Sequence, residues 1–374
     1  MYKYEIEEKT LHFKQPAGTS RGVYTTRKIW LVRLSDGEKD GVGECAPLPD
    51  LSCDALSDHA YRERLEKACE ELCLAGGIDC EILRDYPSML FGLETALLSL
   101  QSNLSPLTSH YSPLLFDTAF SRGEVGIPIN GLVWMGSYEE MLKRMEEKLE
   151  KGFRCMKLKI GAIDFDQELD LIKRIRERFS FHEVELRLDA NGAFPYEEAL
   201  YKLELLSQYA IHSIEQPIRQ GQWAYMAELC RESPLPIALD EELIGVNDPE
   251  MKRHMLNIIK PRYIILKPSL HGGMMGCREW IETARDMGIG SWITSALESN
   301  IGLNAIAQFA SDVYGDHITM PQGLGTGQLF TDNIDMGLEI RGDMLWRQKN
   351  FFRQKNIRTY WLRQKAKPGT RSVQ

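Results

Sequence analysis

Cys155-Met-Lys-Leu-Lys-Ile160, Leu186-Arg-Leu-Asp-Ala-Asn191, Ser213-Ile-Glu-Gln-Pro217, Ala238-Leu-Asp-Glu-Glu242 and Ile264-Ile-Leu-Lys-Pro-Ser269 are five short apolar runs, and each ends in an ionisable residue. Amphipathic helical patterns separate them, which is the signature of parallel βα units. Strands in such sheets are buried on both faces, so a charge at a strand end is costly unless it has a task. Asp189, Glu215, Asp240 and Lys267 recur at intervals of 26, 25 and 27 residues. One βα unit per interval sets them around a single rim, at the carboxyl-terminal mouth where barrel enzymes keep their active sites.

Working outward, eight strands are expected between residues 127 and 320: Ile127–Val133, Cys155–Ile160, Val184–Asp189, His212–Gln216, Pro236–Asp240, Tyr263–Lys267, Gly290–Thr294 and His317–Met320. That count favours a closed (β/α) barrel over an open doubly wound sheet, although periodicity alone leaves closure open. No GxGxxG follows an early strand, which removes the main support for a dinucleotide-binding open sheet. Upstream, Trp30–Leu34 and Gly41–Ala46 read as strands about a turn at Ser35-Asp-Gly37, and Tyr61–Leu74 and Met89–Leu100 read as helices. The expected division is an α+β unit at 1–125, the barrel at 126–325, a C-terminal segment at 326–346 returning toward the first unit, and a basic tail at 347–374.

The chain has 374 residues and a net charge of −9. The tail carries nine Lys or Arg and no acid, so the first 346 residues hold 36 Lys and Arg against 54 Asp and Glu, a balance of −18. An acidic body argues against nucleic acid as a partner, and the tail reads as a solvated or docked appendage. No apolar run reaches membrane-spanning length and the first residues lack a signal-peptide pattern, so a cytoplasmic location is expected. The eight cysteines form no CxxC pair and are expected to be reduced.

Asp189, Glu215 and Asp240 at one mouth repel unless a cation neutralises them. A hard divalent ion with oxygen ligands fits, Mg²⁺ most simply, with Mn²⁺ an alternative. The competing arrangement is a ring of buried ion pairs with the lysines. Lys157 and Lys159, two apart on a strand, share one face. Crowding of the two ammonium groups is expected to lower their pKa, and a neutral lysine is a general base. Lys267 lies across the barrel. Together these residues read as proton abstraction beside a carboxylate, with the metal stabilising the enediolate.

This pattern closely resembles the enolase superfamily in its muconate-lactonising subgroup, over nearly the whole chain. The resemblance implies an α/β fold, a (β/α)7β TIM-like barrel with an N-terminal α+β capping domain. It also implies Asp189, Glu215 and Asp240 as metal ligands, Lys159 as the acid/base, Lys157 as its tuner and Lys267 as the charge on the opposite face. Superfamily enzymes of this kind are a standard pattern of Lys base plus Mg²⁺. Further segments, Gly43–Pro49, Ile129–Trp134, Thr294–Ser299 and Gly323–Thr326, are similar to a dehydratase branch of the subgroup that aromatises 2-succinyl-6-hydroxy-2,4-cyclohexadiene-1-carboxylate, a small-molecule carboxylate. By that resemblance Asn191 and Glu241 orient ligands or ion-held waters. Ser295 and the Gly323-Leu324-Gly325 turn would bind a substrate carboxylate. Arg187 either contacts substrate or sits in a structural ion pair, Arg21 is a surface loop residue, and His271 is a loop histidine. Alternatives are an N-acylamino acid racemase, a dipeptide epimerase, a muconate cycloisomerase and a non-catalytic metal-binding barrel. Against the epimerase stands Gly323-Leu-Gly-Thr-Gly327, where that group has Asp-x-Asp; Asp332 comes only further on.

Overall fold

The computed structural model describes residues 2–19, 22–104 and 114–349. Arg21 and the tail from residue 350 lie outside the described residues. The chain opens with an antiparallel sheet of β1 (Lys3–Thr19), β2 (Gly22–Ser35) and β3 (Asp40–Cys45). The Asp36 carboxylate accepts from Glu38 N and Lys39 N at 2.8 and 2.6 Å and closes the expected turn. β1 is absent from the sequence reading, because its Glu- and Lys-rich run offers no clean apolar alternation.

Two helices, α1 (Asp58–Ala75) and α2 (Pro87–Gln101), cover one side of this sheet. Strand periodicity gives β2 two buried faces. Trp30, Val32 and Leu34 pack with Tyr61, Leu65 and Leu93 of the helices. Ile29 and Leu31 point the other way and pack with Leu297, Ile301 and Phe330. β3 lies unusually close to α2: a Cβ on Gly43 would fall 1.8 Å from Gly92 O. Gly43→Ala is therefore expected to cost about 3 kcal/mol, since backbone cannot give way as a side chain does. Gly77, with nothing near its Cβ position, is the control; comparable melting temperatures for the two alanine variants would refute the close-approach argument.

After β4 (Ile127–Pro128) comes the βα repeat: β5 (Gly131–Val133), α3 (Tyr138–Glu150), β6 (Cys155–Lys159), α4 (Phe165–Arg178), β7 (Glu185–Asp189), α5 (Tyr196–Ser207), β8 (Ser213–Glu215), α6 (Trp223–Glu232), β9 (Ile237–Leu239), α7 (Pro249–Ile259), β10 (Tyr263–Leu266), α8 (Gly273–Asp286), β11 (Gly290–Ile293) and α9 (Asn300–Tyr314). Strands β5 to β11 form one parallel sheet in sequence order. β12 (Leu338–Arg341) and β13 (Met344–Arg347) form a hairpin that pairs with β4.

Two strand expectations are corrected. Ile127–Val133 is not one strand, because Ile127–Pro128 pairs with Leu345 and Met344 and only Gly131–Val133 enters the barrel. His317–Met320 forms no strand. The seam closes later, through single parallel bridges Ile129↔Gln322 and Thr294↔Gly323. Pro321 has no N–H to give a ladder, and the Gln322 side chain substitutes for one: its Oε1 accepts from Ile293 N at 2.7 Å and its Nε2 donates to Met320 O at 2.8 Å. The fold is thus a (β/α)7β TIM-like barrel with an N-terminal α+β capping domain, the eighth position being nearly reduced to one residue pair. No helix among the described residues is long and apolar enough to cross a membrane.

Candidate active site

Register brings the polar strand ends together. Lys159 pairs with Asp189 and Asp189 with Glu215, so the three share one row of the sheet. Asp240 and Lys267 follow immediately after β9 and β10, one residue beyond strands that were expected to include them. β6 and β10 are four places apart in the sheet order, so Lys159 and Lys267 stand on opposite sides of the mouth. Both line a cavity of about 610 Å³, together with Lys157, Asp189, Asn191 and Glu241.

The carboxylates are held by the lysines. Asp189 Oδ2 accepts from Lys159 Nζ and faces Lys157 Nζ, each at 2.9 Å. Lys157 also contacts Glu215, and Lys267 contacts Asp240. Among the described residues no three His, Cys, Asp or Glu side chains converge on a common ligating point, so the ion-paired arrangement is the one present. Burial pulls the Lys157 ammonium down, but Asp189, Glu215 and Asp240 outweigh it and hold its pKa above the usual lysine value. The expected depression of Lys157 is therefore corrected: three acids count for more than one neighbouring lysine. Lys267 is raised in the same way, burial being outweighed by Asp240 and Glu215. Burial, then repulsion from Asp189, pushes Glu215 well up.

The donor set still suits a hard divalent ion. Among the described residues no lysine, hydroxyl or amide hydrogen-bonds to the buried Glu215 Oε1 or Asp240 Oδ1, a condition that costs stability unless a cation supplies the partner. Asn191 and Gln216, next to two of the acids, adopt left-handed backbone (φ 45° and 41°), a strain that collects at functional sites. Asn191 links three site residues, accepting from Lys159 Nζ at 2.7 Å, donating from Nδ2 to Glu241 Oε1 at 2.9 Å, and donating from its backbone N to Asp189 Oδ1 at 3.1 Å. Gln216 Oε1 accepts from Asp240 N and Glu242 N at 3.3 and 3.1 Å and so fixes the turn that carries Asp240. It was missed from sequence, although it stands beside Glu215.

Ser295 and Gly323 line the cavity, and Leu324 does not: its side chain is fully buried in the main core. The Ser295 hydroxyl lies 2.6 Å from Thr326 Oγ1. Gly323 is required sterically, since its Cβ would meet Thr294 Oγ1 at 2.1 Å. Arg187 sits one row below Asp189, beside Lys157. It is 1% exposed, donates to Glu185 Oε1 at 2.7 Å and Pro321 O at 2.8 Å, and stacks on Trp292. The substrate-contact option for Arg187 is thereby corrected in favour of the structural one: pointing inward is not the same as reaching the mouth. His271 lies in the turn between β10 and α8, a loop histidine as expected, but a buried one: its Nδ1 accepts from Lys267 N at 2.8 Å and burial lowers its pKa to about 3, so it is a neutral support for the Lys267 loop. Asp332 pairs with His12 at 2.9 Å outside the cavity.

The cap is tied to the barrel through the buried Glu44, which follows the glycine pair of β3. It accepts from Ser299 N at 2.8 Å and Gly302 N at 2.9 Å, at the start of α9. Burial raises its pKa from 4.5 to about 7, against the pull of the Ser299 hydrogen bonds. A folded pKa above the unfolded one means the neutral acid is favoured in the fold. Stability is then highest below about pH 4.5 for this group and is lost as pH rises toward 7, by roughly 3 kcal/mol. Glu44→Gln should flatten the pH dependence of urea unfolding between pH 5 and 8, and parallel profiles for the two proteins would count against it.

Comparison with known proteins agrees with this geometry. Residues 140–336 match the family described as "Enolase C-terminal domain-like", and residues 2–100 match "MenC, N-terminal domain". The chain is 48% identical to the o-succinylbenzoate synthase of Desulfotalea psychrophila over 90% of this chain and 96% of that protein. The crystal structure of MenC from the same organism superposes with a TM-score of 0.75 over 92% of this chain and 99% of that one, at 42% identity. The N-succinylamino acid racemase of Thermus thermophilus is 29% identical over 76% of this chain and 75% of its own length. A capped barrel with lysines facing each other across a row of acids defines an enzyme of the enolase superfamily, a class of metal-dependent enzymes. Within that class the chain belongs to the o-succinylbenzoate synthase family.

Proposed function

We propose that the chain dehydrates 2-succinyl-6-hydroxy-2,4-cyclohexadiene-1-carboxylate to 2-succinylbenzoate, a step of menaquinone biosynthesis, with Lys159 as the single acid/base. The observation that carries this reading is the placement of Lys159 and Lys267 on opposite sides of one cavity with the carboxylate row between them. Lys159 Nζ, as the neutral amine, takes the proton from the ring carbon that bears the carboxylate. The C–H electrons move into that carboxylate as an enediolate. Lys267, on the far side, faces the growing negative charge. As the enediolate collapses, the C–O bond to the ring hydroxyl breaks and the Lys159 ammonium returns its proton, so that water leaves and the ring becomes aromatic. One group acting first as base and then as acid implies syn elimination. Mg²⁺ held by Asp189, Glu215 and Asp240 would supply the positive charge that stabilises the enediolate, Mn²⁺ being the alternative ion. Asn191 and Glu241 orient Lys159 and the acids, and the backbone around Ser295 and Gly323 faces the succinyl carboxylate. Eight free thiols support a cytoplasmic setting.

The test is the ultraviolet change when protein and Mg²⁺ meet this substrate, with a chelator-treated control. Metal-dependent loss of the diene band at kcat/KM of about 10⁴ M⁻¹s⁻¹ or more is expected. No change, together with α-proton exchange of N-succinylamino acids in deuterated water, would move the substrate to that class.

A further inference from the structure

A buried guanidinium ordinarily faces a carboxylate, because charge in a low-dielectric interior is costly. Arg27 on β2 has the charges of Glu298 and Glu44 nearby to offset its burial, but its hydrogen bonds go elsewhere. It is 3% exposed, and its five N–H groups match five main-chain carbonyls. Nε donates to Leu297 O at 3.3 Å, Nη1 to Lys28 O at 3.3 Å and to Pro47 O, and Nη2 to Ala46 O at 2.5 Å and Ala296 O at 3.4 Å. Ala46 and Pro47 begin the cap loop whose Leu48 and Leu51 line the cavity, and Ala296 and Leu297 line it from the loop after β11. Leu297 is held at φ 65°, a conformation that leucine adopts only when its surroundings impose it. On the far side Glu298 ties the same loop down, accepting from Ala296 N and from Ser269 Oγ, both at 2.6 Å. Ser269 lies two residues after Lys267. One cation thus joins a cap loop to a barrel loop, and both cover the mouth.

We propose that Arg27 is a positioning residue that sets substrate affinity by locking these two loops together, while proton transfer is left to the barrel lysines. The inference rests on the dehydration reading above. Lysine cannot replace it, because a single ammonium has three donors at one point and cannot span carbonyls on two loops. Arg27→Lys is expected to raise KM for the cyclohexadiene substrate by about 10-fold or more while kcat changes by less than about 3-fold, with an unchanged deuterium isotope effect at the abstracted position. A fall in kcat at constant KM, or no change in either, overturns the proposal. Wild-type turnover measured alongside separates failure of the dehydration reading from failure of this one. A second measurement needs neither substrate nor a variant: in wild-type protein under conditions where opening limits hydrogen exchange, residues 46–51 and 295–298 should exchange at one common rate. Two distinct rates would overturn the locking role even if Arg27→Lys failed to fold.

Discussion

Lys159→Ala should lower kcat by roughly 10²- to 10⁴-fold, the usual contribution of a positioned acid/base, while Mg²⁺ affinity changes little. The argument is geometric. Lys159 sits in the same row as Asp189, hydrogen bonds to it and to Asn191, and lines the cavity. Lys157, its neighbour on the strand, is bound to two acids and held as a cation by them, so it cannot take over as base. Single-turnover kinetics and calorimetric titration with Mg²⁺ on the same variant separate the two effects. Dehydration at near wild-type rate would remove Lys159 from its role.

Removing the metal is expected to have the other large effect, abolishing turnover in a way that Mg²⁺ reverses. The physical reason is the pair of buried oxygens, Glu215 Oε1 and Asp240 Oδ1, that no lysine, hydroxyl or amide among the described residues satisfies. Asp240→Ala should weaken Mg²⁺ binding by about 100-fold, or ~2.7 kcal/mol, and should leave Lys267 without its carboxylate partner. The variant should remain folded, because Gln216 still secures the turn through its hydrogen bonds to the backbone of residues 240 and 242. Full activity in a chelator, or undiminished Mg²⁺ affinity in the variant, would contradict this assignment.

The strand ends were legible because burial on both faces makes each charge conspicuous, and a regular βα interval converts sequence spacing into position on a rim. Closure was less legible. The eighth position is held by a glutamine side chain and two single bridges after a proline, and none of these has a strand's composition. Arg187 shows a different limit: alternation reports which face a residue shares, but not which way a long side chain runs, and Lys157 in the same row reaches the cavity while Arg187 turns to Glu185 and Pro321. The sign of the Lys157 shift depends on a balance between burial and three acids that only their assembled positions decide. Arg27 carries no local signal, since four of its five partners are main-chain carbonyls from distant parts of the chain.

The two buried faces of β2 divide the labour of mutation. Changes at Trp30, Val32 or Leu34 fall on the side that packs against the cap helices, and a library varied there should yield mostly differences in yield and heat tolerance. Changes at Ile29 or Leu31 fall on the side shared with Leu297, which lines the cavity, so a library varied there should change KM for the cyclohexadiene substrate. Adjacent codons in one strand would then answer to different selections, and a laboratory seeking altered substrate affinity without loss of folding has its starting positions at the odd-numbered residues.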